Sequence, residues 1–356
     1  MSDRPARVVE ALREREVGAL LVMDLPNLRW LTGFTGSNGA AVVGDGVRRF
    51  LTDFRYLTQA RDEVAEEWGQ AEIASDLLAR LADDGLPERL GFEDDHVSVK
   101  QHARLRELLG EDVELVACGG VVEELRLVKD ADEVQLIRDA ARVADEAFRE
   151  VVLERGIVGR TERDVALDLE VAMRRRGADG VSFPPIVAAG EHGALPHAQP
   201  RDVAIPAGTL VVIDWGAQMA GYASDCTRTV ATGSVDPRDR EVYDLVLRAQ
   251  LEALAAVRPG PLGREVDAVA RDIIEAAGHA EHFGHGLGHG VGIDVHEEPR
   301  LSKQGDKQLA AGHVVTVEPG VYVPGHVGVR IEDLVAITSD GNEVLSSLPK
   351  ELTVVK

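Results

Sequence analysis

Residues 284–292 read Gly-His-Gly-Leu-Gly-His-Gly-Val-Gly, and residues 295–300 read Val-His-Glu-Glu-Pro-Arg. If the first segment is extended, its alternating glycines leave His285 and His289 on one face, with bare backbone on the other. A phosphate-binding loop would need a strand before it and a helix N-terminus after it, and the proline-containing sequence that follows does not favour this. A glycine-rich turn with incidental histidines remains an alternative, so the rest of the chain must decide.

The length and composition describe an ordinary globular protein with more than one core. The chain has 356 residues, which exceeds the size at which a single core usually stops growing, so two domains are expected. Hydrophobic residues make up 44% and charged residues 28% of the chain. The net charge of −23 argues against nucleic acid or an anionic membrane as a partner, because both require a basic surface.

The chain carries two cysteines, Cys118 and Cys226, whose spacing resembles no metal or redox motif. Its N-terminus enters a charged amphipathic segment without an apolar core, which predicts no signal peptide. No window approaches the run of about 18 apolar residues that a membrane helix needs. We therefore expect a cytoplasmic protein.

The first domain is expected to be of the α/β class and to span residues 1–122. Residues 24–27 are expected to break its first strand, and residues 31–39 to form a loop. Two isolated histidines, His96 and His102, are interpreted as surface or structural residues. Helices are expected near residues 7–16, 55–68, 75–81 and 98–109, and strands near residues 19–23, 40–43, 49–52, 90–93 and 113–116.

The second domain is expected to span residues 123–356, after the glycine pair at 119–120. Asp130 with Glu133 forms a capping-box pattern at the start of a helix. Thr161 and Gly177 bracket a second helix as its N-cap and its terminating glycine. Further helices are expected near residues 240–257 and 265–277, and strands near residues 186–189, 210–215, 225–231, 314–318 and 327–337.

Four acidic residues occur in or at the ends of apolar strands. Asp214 ends one strand and Asp225 opens the next, so a hairpin would place the two carboxylates side by side. Glu318 closes the apolar run at residues 314–317. Alternation along the last strand places Glu332 on the same face as Arg330. Buried carboxylates cost several kcal/mol each unless they are paired or bind a metal.

Together with His289, these carboxylates form a plausible ligand set for metal. Oxygen-rich ligation with one imidazole suits Mn²⁺, Co²⁺, Fe²⁺ or Zn²⁺. Four carboxylates also offset the charge of two divalent cations, which could then hold and acidify a bridging water. The sequence therefore predicts a dinuclear metal site.

The order of these five residues resembles that in the proline-specific metallopeptidases of the pita-bread fold. The segments around them share this resemblance and read Asp-Trp-Gly, Ser-Asp-Cys-Thr-Arg-Thr, Thr-Val-Glu-Pro-Gly and Arg-Ile-Glu-Asp. Within that superfamily the chain looks like a prolidase or an aminopeptidase P. The likeness extends over the whole chain and is most specific in its second half. It implies an α/β (α+β) protein, in which a creatinase-like N-terminal α/β domain precedes a pita-bread catalytic domain with a curved antiparallel sheet flanked by helices.

The resemblance also implies how the ligands divide between the two metal ions. Asp225 and Glu332 are expected to bridge both ions, Asp214 to bind one of them, and His289 and Glu318 to bind the other. Mn²⁺ or Co²⁺ is expected, with Zn²⁺ or Fe²⁺ as alternatives.

The resemblance implies roles for other side chains of the site. His197 and His296 are expected to hold the substrate and stabilise the tetrahedral intermediate, and Glu318 to shuttle the proton. Arg300 is expected to dock the free carboxylate of a dipeptide. Alternatively, Arg300 only pairs with one of its glutamate neighbours. His192 and His285 are expected to have supporting roles.

The implied reaction is hydrolysis of the Xaa-Pro bond by a metal-activated hydroxide. We prefer an Xaa-Pro dipeptidase, which would act as a homodimer on small peptides with proline in the second position. An aminopeptidase P acting on longer peptides is the main alternative. A metal-dependent lyase and a non-catalytic peptide-binding protein are further alternatives, and the second of these would be expected to have lost metal ligands.

Overall fold

The computed structural model of the chain describes residues 3–82 and 85–356. The chain forms two compact units, of which the first ends at Arg126 and the second begins at Leu127. The boundary expected after residue 122 falls inside the helix Val121–Arg126. Each unit has its own cluster of buried apolar side chains.

The N-terminal unit is a mixed six-stranded sheet with helices, as an α/β domain requires. The strand order is β4-β3-β2-β1-β5-β6, in which β1 pairs antiparallel with β2 and parallel with β5. The strands are β1 (Ala19–Val22), β2 (Gly39–Gly44), β3 (Val47–Thr52), β4 (Glu72–Ile73), β5 (Arg89–Phe92) and β6 (Glu114–Ala117). The helices are α1 (Arg4–Arg13), α2 (Leu25–Thr32), α3 (Leu57–Glu63), α4 (Leu77–Ala82), α5 (Val99–Leu109) and α6 (Val121–Arg126), with 3₁₀ turns at Phe54–Tyr56 and Glu66–Trp68.

Strand β1 ends at Val22, before the break expected at residues 24–27, and helix α2 then follows, which was not expected and which covers the first two residues of the expected loop. The carboxylate of Asp24 caps the helix by accepting a hydrogen bond from the Asn27 amide at 3.1 Å. Pro26 lies in the first turn, where its missing N–H costs nothing. Gly33 ends the helix with a φ of 84°. The proline was interpreted only as the end of a strand, but it also marks the start of a helix.

The helices of the second unit begin and end near the predicted residues. The capping box at Asp130 and Glu133 is present, and Thr161 accepts a hydrogen bond from the Asp164 amide at 3.0 Å. No helix within the described ranges is long and apolar enough to cross a membrane. The helices are α7 (Ala131–Phe148), which continues as a π-helical stretch over Arg149–Glu154, α8 (Glu162–Arg175), α9 (Pro237–Ala256) and α10 (Gly263–Ala276), with 3₁₀ turns at Gly190–Ala194 and Ala280–His282.

The strands of the second unit all pair antiparallel with one another. They form four sheets, in the orders β11-β10-β7, β12-β9-β8, β14-β13-β15-β18-β19 and β16-β17. The strands are β7 (Gly180–Val181), β8 (Ile186–Ala189), β9 (Leu210–Trp215), β10 (Ala217–Met219), β11 (Tyr222–Ala223), β12 (Cys226–Ala231), β13 (Gly288–Gly290), β14 (Glu297–Leu301), β15 (Val314–Val317), β16 (Gly320–Val323), β17 (Val327–Arg330), β18 (Asp333–Ile337) and β19 (Asn342–Val344).

The single strand expected over residues 327–337 is two strands in different sheets. Strand β17 pairs with β16, whereas β18 pairs with β15 and β19. The chain leaves strand geometry at Ile331 and Glu332, where the Glu332 amide donates to the Thr227 carbonyl at 3.1 Å. Residues 327–337 are all buried, so no change in burial marks the point at which the chain changes partner.

Trp215 anchors the end of β9 to helix α7. Its ring stacks on Phe148 with centroids 4.3 Å apart, and its indole N–H donates to the Ala144 carbonyl at 2.9 Å. Trp215 is fully buried, where its ring has apolar contacts and its N–H has a hydrogen-bond acceptor. This anchor fixes the backbone next to Asp214.

Candidate metal centre

Three carboxylates from three different elements converge in the second unit. Asp214 lies near the end of β9, Asp225 just before β12, and Glu332 in the break between β17 and β18. One carboxylate oxygen from each lies within 4.8 Å of the others. Strand pairing places Thr227, not Asp225, opposite Asp214. Asp225 is therefore a diagonal neighbour on the same face rather than directly opposite.

His289 and Glu318 complete the group of five residues that the sequence selected. The Nε2 atom of His289 lies 3.3 Å from Glu318 Oε1 and 3.6 Å from Asp225 Oδ2. Its Nδ1 atom is 3.0 Å from the Gly290 carbonyl, which can only accept, so Nδ1 carries the proton. Nε2 is therefore the ring nitrogen that faces the carboxylates and that a metal ion would bind.

The glycines around His289 allow three strands to approach closely. A Cβ atom at Gly288 would lie 2.1 Å from the Thr316 carbonyl oxygen, and one at Gly290 would lie 2.1 Å from the Glu298 carbonyl oxygen. Strand β13 is thus held between β14 and β15, with a register shift between its two glycines. No helix follows this segment, so the phosphate-loop interpretation does not hold.

The electrostatics of the group fit divalent cations. Asp214 Oδ1 and Glu332 Oε1 are buried and accept no hydrogen bond. Burial and the neighbouring carboxylates raise the pKa of Asp225 and of Glu332 well above the usual range. Burial also acts to raise the pKa of Glu318, but His289 and other nearby charges outweigh it and hold that pKa at about 2. Cations among these side chains would satisfy the free oxygens and offset the crowded negative charge.

Arg330 links several parts of the site and was noticed in the sequence only as the neighbour of Glu332. Its guanidinium donates to Asp214 Oδ2 at 2.6 Å, to Thr227 Oγ1 at 3.0 Å and to the Pro196 carbonyl at 3.1 Å. Thr227 in turn donates to Glu332 Oε2 at 2.8 Å. A second charge inside an apolar strand was the signal that could have identified this residue.

His285 and Tyr322 extend the network around Arg330. The Tyr322 hydroxyl oxygen accepts a hydrogen bond from Arg330 Nη1 at 2.7 Å and lies 3.0 Å from His285 Nε2. His285 Nδ1 donates to the Gly286 carbonyl at 2.7 Å, and burial lowers the pKa of His285, so the ring is neutral and accepts from the tyrosine. His285 therefore supports the site from beside the carboxylates. Tyr322 gave no signal in the sequence, because nothing there shows what its hydroxyl contacts.

A cavity of about 480 Å³ is lined by four of the five residues, Asp214, Asp225, His289 and Glu318. His197 and His296 both line it, and the His296 ring meets the His289 ring edge to face with centroids 4.4 Å apart. One wall is apolar and comprises Phe183, Pro184, Pro185 and Ile186. This wall was not identified from the sequence.

Arg300 also lines the cavity and its side chain is 45% exposed. Its Nε atom lies 3.9 Å from Glu298 Oε1, which is a weak contact for an ion pair. The other neighbouring glutamate, Glu297, is directed instead to the buried ammonium group of Lys129 at 2.8 Å. The guanidinium is therefore accessible to a ligand in the cavity.

Two other histidines with carboxylate neighbours have structural contacts. His192 is buried with its Nδ1 atom 3.0 Å from Glu162 Oε2, in a group that does not line the cavity. In the N-terminal unit, His96 lies between two carboxylates and uses a different ring nitrogen for each, with Nδ1 3.3 Å from Asp24 and Nε2 3.2 Å from Glu123. Because the two ring nitrogens of His96 face in different directions, the ring bridges the two carboxylates, and its nitrogens do not point at a shared ion.

Comparisons with known proteins agree in both units. The Creatinase/Prolidase N-terminal domain model matches residues 4–128, and the Metallopeptidase family M24 model matches residues 135–339. An uncharacterised peptidase of Bacillus subtilis is 42% identical over 345 residues, covering 95% of this chain and 96% of that protein. The structure of an Xaa-Pro dipeptidase from Bacillus anthracis superposes with a TM-score of 0.94 and 37% identity, covering 99% of each chain. That of an X-Pro aminopeptidase from Thermotoga maritima superposes with a TM-score of 0.90 and 35% identity, covering 97% of this chain and 100% of the other.

Proposed function

Because the chain belongs to metallopeptidase family M24 and carries a creatinase/prolidase N-terminal domain, we propose that this hydrolase is an Xaa-Pro dipeptidase. The expected creatinase-like domain and pita-bread catalytic domain are confirmed by its structural neighbours. The observation that carries the proposal is that four carboxylates and one imidazole lie close together, and that four of these five side chains line a cavity with one apolar wall. The bond cleaved is the one between an N-terminal residue and a following proline.

We propose that Asp214, Asp225, His289, Glu318 and Glu332 hold two divalent ions, Mn²⁺ or Co²⁺. Asp225 and Glu332 would each serve both ions, and one carboxylate oxygen of each lies within 4.8 Å of the other and of an oxygen of Asp214. The free oxygens of Asp214 and Glu332 support this assignment, because each lacks a hydrogen-bond donor. When bound, the ions supply Lewis acidity that polarises the scissile carbonyl and acidifies the attacking water.

The side chains of the site then have distinct tasks. Glu318 is ionised at neutral pH, so its carboxylate can accept a proton from the attacking water and deliver it to the proline nitrogen. His197 and His296 line the cavity and would donate hydrogen bonds to the carbonyl oxygen as negative charge develops. Arg330 keeps Asp214 in place through its 2.6 Å hydrogen bond.

The apolar wall supports a preference for proline. A proline residue has no N–H and presents a compact apolar ring, so it needs shape and apolar contact rather than a hydrogen-bond acceptor. The side chains at residues 183–186 provide such a surface within the cavity that contains the metal ligands.

The accessible guanidinium of Arg300 supports a dipeptide as the substrate. The free carboxylate of Xaa-Pro suits a bidentate pair with arginine, whereas a longer peptide has an amide at that point. An aminopeptidase P remains the second candidate, because Arg300 also lies near Glu298. A non-catalytic peptide-binding role is disfavoured because all five ligand positions are occupied by ligand residues.

We further propose that the enzyme works as a homodimer in the cytoplasm. The two cysteines are free and buried, which suits a reducing compartment. A mass measurement by light scattering tests the dimer directly.

A substrate panel tests the proposed function. Metal-free protein is supplied with Mn²⁺, Co²⁺ or Zn²⁺ and assayed on Xaa-Pro dipeptides, on Xaa-Pro-Yaa peptides and on Xaa-Ala dipeptides as the control. We expect metal-dependent turnover that is fastest on Xaa-Pro dipeptides and slow on Xaa-Ala. Full turnover without metal, or equal rates on Xaa-Ala and Xaa-Pro, would refute the proposal.

A further inference from the structure

Behind the carboxylate cluster lies a buried guanidinium, Arg228, which has no task in the mechanism above. Its side chain is 3% exposed and belongs to strand β12, one residue after Thr227. An arginine buried this deeply needs an acceptor for each of its five N–H donors. The positions of these acceptors indicate what the residue does.

All five donors of Arg228 have partners, and these come from three separate segments. Nη1 donates to the carbonyl oxygens of Thr227, at 3.0 Å, and of Glu332. Nη2 donates to Asp333 Oδ1 at 2.8 Å and to the Leu348 carbonyl at 2.8 Å. Nε donates to the Pro349 carbonyl at 3.0 Å.

Asp333 holds this guanidinium and is itself held by two other side chains. Its Oδ2 atom accepts hydrogen bonds from Gln250 at 2.9 Å and from Lys350 at 2.7 Å. Asp333 follows Glu332 directly, and the two carboxylates have different partners: Glu332 accepts from Thr227, whereas Asp333 accepts from Arg228, Gln250 and Lys350. Glu332 faces the metal ligands, and Asp333 faces Arg228.

The backbone of Glu332 needs this support because it lies between two strands. Strand β17 ends at Arg330 and β18 begins at Asp333, so no strand ladder pairs the Glu332 peptide groups. Its amide donates to the Thr227 carbonyl at 3.1 Å, and its carbonyl receives Arg228. The side chains of Thr227 and Glu332 form a hydrogen bond of 2.8 Å. Arg228 donates to the backbone carbonyls of both of these residues.

We propose that Arg228, oriented by Asp333, is a positioning residue that sets the place of the Glu332 carboxylate and thereby the affinity for the metal pair. This inference rests on the proposed function, since it assigns Glu332 to the metal ions. Residues that orient metal ligands from behind typically change metal affinity or activity by about 10- to 100-fold when they are replaced.

The test measures metal affinity, which a purely structural role would leave unchanged. Arg228→Lys keeps the charge but cannot reach carbonyls and a carboxylate on several sides at once. Arg49→Lys is the matched control in the N-terminal unit, because Arg49 also forms a paired contact with a carboxylate, Glu72, at 2.7 and 3.0 Å and donates to two carbonyl oxygens. Titration calorimetry of the metal-free proteins with Mn²⁺ gives the affinity, and thermal melts give the stability.

We expect Arg228→Lys to bind Mn²⁺ about 10- to 100-fold more weakly than wild type, while Arg49→Lys lowers only the melting temperature of the metal-free protein. Asp333→Asn, which keeps the side-chain volume and one acceptor, should weaken binding in the same direction and serves if the lysine variant does not fold. Wild-type affinity in a folded Arg228 or Asp333 variant would overturn the inference. Failure of wild type itself to bind metal would instead overturn the proposed function.

Discussion

Replacing Glu332 with glutamine should raise the stability of the metal-free protein and lower that of the metal-loaded protein. Glu332 is 1% exposed, and burial with the charges of Glu318 and Asp214 raises its pKa well above the usual range. A carboxylate whose pKa is raised on folding contributes stability at low pH and loses it as the pH rises through the folded pKa. Glutamine has no charge to lose, so it removes this cost.

The gain of the metal-free variant should be larger at pH 8 than at pH 5. At pH 8 the carboxyl of the unfolded chain is fully ionised, whereas the folded site still disfavours the charged form, so only wild type bears this cost. The glutamine oxygen can still accept the hydrogen bond from Thr227, and its amide N–H groups lie in the cluster that contains Asp214 Oδ1, which lacks a donor. For a unit of this size, each kcal/mol raises the melting temperature by about 2–4 °C.

The metal-loaded variant should lose more than the metal-free variant gains. Glutamine removes one of the four carboxylates that would offset the two proposed cations. Removing one partner from a buried pair of charges costs about 3–5 kcal/mol. The affinity for Mn²⁺ should therefore fall by about 10²- to 10⁴-fold, and turnover should fall at least as much.

Differential scanning calorimetry at pH 5 and pH 8, with chelator or with Mn²⁺, separates the two effects. Asp306→Asn, a carboxylate-to-amide change at an exposed position, is the control and should alter neither melting curve. A metal-free Glu332→Gln protein that is less stable than wild type at pH 8 would show that the carboxylates do not repel one another. An unchanged Mn²⁺ affinity would show that Glu332 is not a ligand.

Other measurements address the remaining assignments. Chelated wild type should be inactive and should regain activity with Mn²⁺ or Co²⁺; turnover by protein shown to be metal-free by elemental analysis would contradict this. Asp225→Asn should abolish dinuclear binding and turnover while His102→Ala leaves both intact, and near-normal activity in the first variant would show that the site is misplaced. Arg300→Ala should lower kcat/KM on dipeptides by about 10- to 100-fold, because the hydrogen bonds lost are worth about 1.5–3 kcal/mol, and should lower it much less on tetrapeptides. Equal losses on both substrates would favour pairing of Arg300 with Glu298 and an aminopeptidase P. Burial raises the pKa of Glu93 to about 7. The stability of Glu93→Gln relative to wild type should therefore rise by up to about 3 kcal/mol between pH 5 and pH 8. If calorimetry shows that the stabilities of the two proteins change with pH in parallel, the raised pKa is contradicted.

Local signals in the sequence predicted most of the helices and strands. The caps at Asp130 and Thr161 act within one turn of the chain, so they can be read without knowledge of the fold. Helix α2 was missed although its signals are equally local, because a proline in the first turn was interpreted as a break. The division of residues 327–337 between two sheets left no local trace.

The sequence by itself selected five side chains that the structure brings together, because a carboxylate in an apolar strand is costly and therefore conspicuous. The structure alone decided which oxygens remain free, and it identified Arg330, Tyr322 and Arg228 as supports of the site. It also placed the apolar wall at residues 183–186 beside the carboxylates. These features depend on which strands pair and where a strand changes partner. Such pairings join residues more than a hundred positions apart, as Thr227 and Glu332 are, so no pattern within one segment of the sequence can specify them.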